Sequence, residues 1–302
     1  MRVLLLFLDG IGLGEDDPDC NPFAAAQLPT LESLSGGYKW LRSAPRLDSG
    51  RATFIPTDAR LGVTGRPQSA TGQATILTGR NVPAELGEHY GPYPDKRIRA
   101  ILAQDNLYTR LVAHGLRCGR LDAHPPHYLA ELASGKRLRT AMQHAAYVAG
   151  VPLPSLDALQ ARRALSPDFL GDGWRDVLNL PDVPVHTPRE AGALLADLAC
   201  QHDFSLFSTW LTDEIGHHRD LERGIAFLER FDAVLAALLD AWDDSQGLIV
   251  ITSDHGNLED LSHRKHTENP VPTVVIGAAR HSVAEQINAL TDLTPAILRL
   301  LI

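Results

Sequence analysis

The chain has 302 residues, 44% hydrophobic and 22% charged, enough for a large core in one domain with a small insertion or in two domains. Its 28 basic and 37 acidic residues give a net charge of −9 with no basic run. That balance argues against stable nucleic-acid binding but not against a small charged substrate, whose field a metal can dominate locally. Three widely spaced cysteines, Cys20, Cys118 and Cys200, form no Cys-x-x-Cys pair and fit a reducing cytoplasm, and no stretch is long and apolar enough to suggest a membrane partner.

Val3 to Leu8 is a fully apolar run ending in Asp9-Gly10. It is too short for a membrane span and lacks a small-residue cleavage site, so it reads as a buried strand. Asn21 to Leu34 is a loop entering a short helix near Pro29, and Arg42 to Val63 is irregular with short extended pieces. A helix is predicted from Ser69–Thr71 onward, with Ala74, Ile76 and Leu77 apolar and Gly79 as its C-cap. Arg97 to Gly115 reads as one helix with a stripe of Ile98, Ile101, Leu102, Leu107 and Leu111. Cys118 to Asp122 is a further strand candidate.

His124 to Val185, rich in Pro and Gly, breaks the strand–helix alternation and reads as an insertion over the site. The expected organisation is therefore a core of residues 1–123 and 186–302 with a small cap at 124–185. Thr187-Pro188-Arg189-Glu190 opens a helix with a Thr cap, Pro at N1 and Glu at N3. Phe204 to Thr209 is another strand, followed by Asp213 and His217 at helical i, i+4 spacing. A long helix covers Leu221 to Trp242. The run Leu248 to Thr252 is a buried strand ending in Ser253-Asp254-His255-Gly256-Asn257. His263, Lys265 and His266 precede the strand candidate Val271 to Ile276, and Thr294-Pro295 opens the last helix. Alternation at both ends predicts a doubly wound, mostly parallel α/β sheet with helices on both faces.

Open α/β sheets place their sites at strand carboxyl ends, where this chain repeatedly carries Asp or His. Taken singly, Asp9-Gly10 is a turn, Asp213 and His217 a solvated pair, and His266 a surface residue. Together they converge on a metal site. Carboxylate mixed with imidazole suits Zn, Mn or Fe better than Ca, and the lack of nearby Cys argues against a structural zinc. A hydroxyl at the head of the Ser69–Thr71 helix would meet the positive end of its dipole, where phosphate binds well, though from this segment alone an ordinary Ser or Thr cap is the better account.

Leu8-Asp9-Gly10, the Ser69–Arg80 segment, Asp213-Glu214-Ile215-Gly216-His217, Ser253-Asp254-His255-Gly256-Asn257 and His266-Thr267-Glu268-Asn269-Pro270 occur in the order of the alkaline phosphatase superfamily. The chain resembles its branch of cofactor-independent phosphoglycerate mutase and phosphopentomutase. The likeness spans both ends and weakens in the middle. It implies an alkaline-phosphatase-like fold and two divalent metal ions, Mn or Zn. One ion would be held by Asp213, His217 and His266, the other by Asp9, Asp254, His255 and the nucleophile oxygen. Ser69, three residues before Gly72, matches the mutase nucleophile, with Thr71 the alternative. Arg66, Arg80, Asn81 and His89 flank that segment and are candidates to touch a small phosphorylated substrate. The absence of Cys-x-Pro-x-Arg argues against a sulfatase. The expected activity is metal-dependent phosphoryl transfer through a Ser/Thr phosphoenzyme, as a phosphatase or phosphodiesterase, because the insertion is too small to seal off water. The alternatives are a phosphomutase or a metal-binding protein without catalysis.

Overall fold

The computed structural model describes all 302 residues. Seven strands form one sheet: β1 (Arg2–Leu8), β2 (Leu47–Asp48), β3 (Ala52–Thr57), β4 (Cys118–Arg120), β5 (Phe204–Thr209), β6 (Gly247–Thr252) and β7 (Val271–Ile276). Their spatial order is β2-β3-β7-β6-β1-β5-β4. The strands β6, β1, β5 and β4 are parallel to one another, whereas β7 runs antiparallel to both β6 and β3. The sheet is thus more mixed than the apolar runs suggest. A run buried on both faces looks alike in either direction, and β6 reaches β7 through a loop rather than a crossover helix, which demands reversal.

That reversal places the chemistry. β1, β5 and β6 end on one edge of the sheet, and β7 begins on it, so the residues just before β7 arrive beside those just after the other three. Alternation along the strands splits the interior into two layers. Leu4, Leu6, Ile249 and Ile251 face one layer with the Pro188–Ala199 and Leu221–Ala241 helices. Leu5, Phe7, Leu248 and Val250 face the other with the Ser69–Thr78 and Leu293–Leu301 helices.

One expectation changes in the structure. The single helix over Arg97–Gly115 is two, Lys96–Gln104 and Leu107–Ala113. Asn106 caps the second by accepting from the Thr109 N–H, while the Thr109 hydroxyl accepts from the Asn106 N–H. The stripe survives the break, with Ile98, Leu102, Leu107 and Leu111 fully buried.

The 124–185 segment is built into the body of the protein. Met142, Ala145 and Ala146 of its Ala141–Val148 helix lie in one core layer, and Leu165 and Phe169 lie in the other. Only a small cluster around Trp174 and Leu159 is largely its own.

Candidate metal centre

Each candidate ligand is delivered by an element whose end the fold dictates. Asp9 follows β1 directly. Gly10 then turns at φ +73°, and a Cβ there would lie 2.7 Å from the Asp213 carboxylate, so only glycine allows the two loops to touch. Asp213 and His217 occupy one face of the Leu211–His218 helix after β5. Asp254 and His255 follow β6 and are wholly buried, and His266 sits just before β7.

The ligand atoms of Asp213, His217 and His266 lie within 4.8 Å of one another, as do those of Asp9, Asp213 and His255. His217 Nε2 is 3.3 Å from Asp213 Oδ2, and His266 Nε2 is 3.5 Å from Asp213 Oδ1. The two Nε2 atoms are only 3.3 Å apart. Each ring is oriented through its other nitrogen. His266 Nδ1 is 2.9 Å from the Pro67 carbonyl and His217 Nδ1 is 3.0 Å from that of Arg264. A donating Nδ1–H leaves an Nε2 lone pair on each ring pointing at the same space, the arrangement of metal-ligating histidines.

The second group surrounds His255 Nε2. Ser69 Oγ lies 2.9 Å from it, Asp9 Oδ1 3.4 Å and Asp254 Oδ2 3.7 Å. Asp254 lies outside the tightest triads, where Asp213 takes the place expected of it. Yet both Asp254 oxygens and Asp9 Oδ1 are buried without a hydrogen-bond partner. Bare buried carboxylate oxygens are costly unless a cation meets them. Burial, then the neighbouring Asp254 and Asp213 carboxylates, pushes the Asp9 carboxyl well above its usual range. Burial also raises Asp254. Burial opposes ionisation of Asp213 too, but hydrogen bonds to His217 and His266 outweigh it and hold that carboxyl low. His217 is raised by its bond to Asp213, and burial lowers His255. The donor set therefore fits divalent cations, whose charge would satisfy every one of these groups.

Ser69 is the first residue of the Ser69–Thr78 helix, and its hydroxyl faces the cluster. Thr71 is engaged elsewhere: its hydroxyl donates toward the Gln68 and Tyr90 carbonyls and accepts from the Tyr90 N–H. Gly72 lets the helix press against the Asp254 loop, since a Cβ there would lie 2.9 Å from the Asp254 backbone oxygen.

A cavity of about 530 Å³ opens beside His217 and His266, and Arg66, Gln68 and His89 also line it. Arg80 and Asn81 do not. Arg80 forms an ion pair with Glu85, and Asn81 caps the Val82–Leu86 helix by accepting from the Ala84 N–H. Both belong to local structure.

Sequence reading missed Glu259. It is 1% exposed, and acidic residues are almost never so buried unless paired. One carboxylate oxygen accepts from the Gly12 and Asn257 N–H groups at 2.9 and 2.8 Å. The other accepts from Asn269 Nδ2 at 3.0 Å and from the Thr267 hydroxyl. One side chain thus ties the loop after β1 to both ends of the β6–β7 connection. Asn257 then donates to Asp213 Oδ1 at 2.7 Å, and Gln73 donates to Asp9 Oδ2 at 3.2 Å. An acid two residues beyond Asn257 was the available signal for Glu259; nothing local marks it as buried.

Residues 188–302 match the family model of the Metalloenzyme superfamily. The 2,3-bisphosphoglycerate-independent phosphoglycerate mutase of Syntrophotalea carbinolica is 31% identical over 121 residues, 38% of this chain and 24% of that protein. The protein of the same name from Cereibacter sphaeroides strain ATCC 17025 is 27% identical over 218 residues, 69% of this chain and 37% of that protein. The chain thus spans well under half the length of these relatives. In fold it is similar to the PH0037 protein of Pyrococcus horikoshii, with TM-score 0.59 at 14% identity, covering 99% of this chain and 96% of that one. The alkaline phosphatase of the Antarctic bacterium TAB5 aligns with TM-score 0.52 at 15% identity, over 99% and 97% of the two chains. The match over its C-terminal part, the mutase relatives and the shared fold support a metalloenzyme of the alkaline phosphatase superfamily.

Proposed function

We propose that this protein is a phosphohydrolase acting on small phosphate esters through a phosphoserine at Ser69. The observation that carries the reading is the 2.9 Å approach of Ser69 Oγ to His255 Nε2, at the head of a helix and beside two carboxylates with unpartnered oxygens. Asp213, His217 and His266 would hold one divalent ion, and Asp9, Asp254, His255 and Ser69 Oγ a second. Their mixed oxygen and imidazole donors suit Mn or Zn. Ions so held supply Lewis acidity to phosphoryl oxygens and lower the pKa of a bound hydroxyl.

Ser69 Oγ attacks phosphorus as the bond to the ester oxygen breaks, and the proton lost from the Ser69 hydroxyl is balanced by the one that the departing alkoxide takes up to leave as the alcohol. The new phosphoryl group sits at the helix N-terminus, where the dipole favours negative charge. Water then cleaves the Ser69 ester, releasing inorganic phosphate and restoring the hydroxyl. Arg66 and His89, at the mouth of the cavity, are placed to meet the incoming phosphate. The three unpaired cysteines fit work in a reducing cytoplasm.

Hydrolysis is favoured because the cavity beside the cluster is walled in part by exposed residues, so water can enter. A phosphomutase is the second reading, favoured by the name the mutase relatives carry. Metal-stripped protein reloaded with Mn or Zn and given sugar phosphates and phosphoglycerates separates them. Free phosphate supports the hydrolase, whereas an isomerised ester without free phosphate supports the mutase. No turnover with either ion, together with no phosphate on Ser69 by mass spectrometry, overturns both.

A further inference from the structure

We infer that the substrate carries a second phosphate on its alcohol part, and that this group docks in a separate cavity built by Lys96 and Arg99. The inference rests on the phosphate-ester reading above and deepens it. A second cavity of about 390 Å³ adjoins the first, and Tyr90 and Gly91 line both. Lys96 and Arg99 line it from the first turn of the Lys96–Gln104 helix, together with Leu138.

The charge pattern points to an anion. Every acid bordering the two cavities already has a partner. Glu88 pairs with Arg97 at 2.8 Å, and Asp95 pairs with the same arginine while accepting from the Ile98 N–H. Four cations on the cavity walls, Arg66, Lys265, Lys96 and Arg99, form no ion pair. On a chain of net charge −9, such a local excess of unpaired positive charge selects for negative ligands.

The layout implies two anionic groups rather than one. Arg66 and Lys265 share the first cavity with the ligand histidines, where the reacting phosphate belongs. Lys96 and Arg99 line the second cavity, which shares Tyr90 and Gly91 with the first, so each cavity carries its own pair of unpaired cations. A sugar bisphosphate and a nucleoside bisphosphate present the same pair of groups.

The test is calorimetric titration of the full chain carrying Ser69→Ala, so that no turnover intervenes. Fructose 1,6-bisphosphate is compared with fructose 6-phosphate, and adenosine 3′,5′-bisphosphate with adenosine 5′-monophosphate. The expected result is at least tenfold tighter binding of one bisphosphate than of its monophosphate. The pair that shows the gap identifies the sugar or nucleoside source. Adding Lys96→Ala and Arg99→Ala removes the gap and leaves monophosphate affinity unchanged. Lys136→Ala, which removes an exposed cation lining neither cavity, keeps it. Equal affinity for mono- and bisphosphates, or equal weakening of both by the double substitution, overturns the subsite. An intact Lys96/Arg99-dependent gap without phosphate release from the unsubstituted protein keeps the subsite and overturns the hydrolytic reading.

Discussion

Ser69 Oγ and His255 Nε2 lie 2.9 Å apart across 186 residues of sequence. The contact singles out one hydroxyl from a segment that offers several, because the hydroxyl of Thr71 is committed to Gln68 and Tyr90. Ser69→Ala is expected to lower phosphate release at least a thousandfold and to abolish phosphate incorporation. Thr71→Val is expected to keep turnover within about tenfold but to cost ~1–2 kcal/mol of stability, since the Tyr90 N–H loses its acceptor. Steady-state rates and urea unfolding of the two variants check this. Full activity in Ser69→Ala would dismiss the phosphoserine.

Glu259 joins the loop after β1 to both ends of the β6–β7 connection through four hydrogen bonds. Glu259→Gln turns an acceptor into a donor opposite N–H groups and should weaken metal affinity about 10- to 100-fold, the range for residues that support ligands. It should also lower the melting temperature. Chelator-competition titration measures the affinity directly, and an unchanged constant would restrict Glu259 to stability alone.

Gly72 touches the Asp254 loop so closely that Gly72→Ala must displace it. The expected outcome is a folded protein with weaker metal binding and turnover reduced about a hundredfold, as a ligand or reacting group moves by a fraction of an ångström. Circular dichroism with metal titration separates this from misfolding. Unaltered metal affinity would show that the Asp254 loop can yield.

Arg80 pairs with Glu85 outside the cavity. Arg80→Ala should therefore leave KM and kcat within about twofold and change stability by ~0.2–1 kcal/mol, as exposed ion pairs do. A KM raised tenfold would return Arg80 to the substrate site.

His124 follows β4 and is buried beside Gln143, whose side-chain nitrogen is 2.9 Å from its Nε2. Burial holds its pKa below the ordinary value for histidine. Below about pH 6.5 the unfolded chain binds a proton there that the folded chain refuses, so stability falls as pH drops from 6.5 toward the folded value and then levels. His124→Gln should flatten that part of the profile. Urea midpoints between pH 7.5 and 5 decide it, and an equal slope in both proteins assigns the loss to other buried histidines.

The strands β1, β5, β6 and β7 and the ligand-rich motifs at their ends were legible in the sequence. Unbroken apolar runs and the Asp and His beside them are local facts of the chain. The break at Asp105–Asn106 was not, because the apolar stripe continues across it and only the Asn106 cap interrupts the backbone. The direction of β7 was equally hidden, since a strand buried on both faces reads the same both ways.

By itself, then, the sequence determined the Asp and His inventory at the strand ends and the α/β character of the fold, both written in residue type and period. Only the tertiary structure set Ser69 beside His255 while engaging Thr71, Arg80 and Asn81 in other contacts, and revealed Glu259 as the tie between the loops. The Ser69–His255 and Gly12–Glu259 contacts span 186 and 247 residues, so packing alone sets them, whereas Thr71, Arg80 and Asn81 find partners close by in the chain that residue type alone does not choose among.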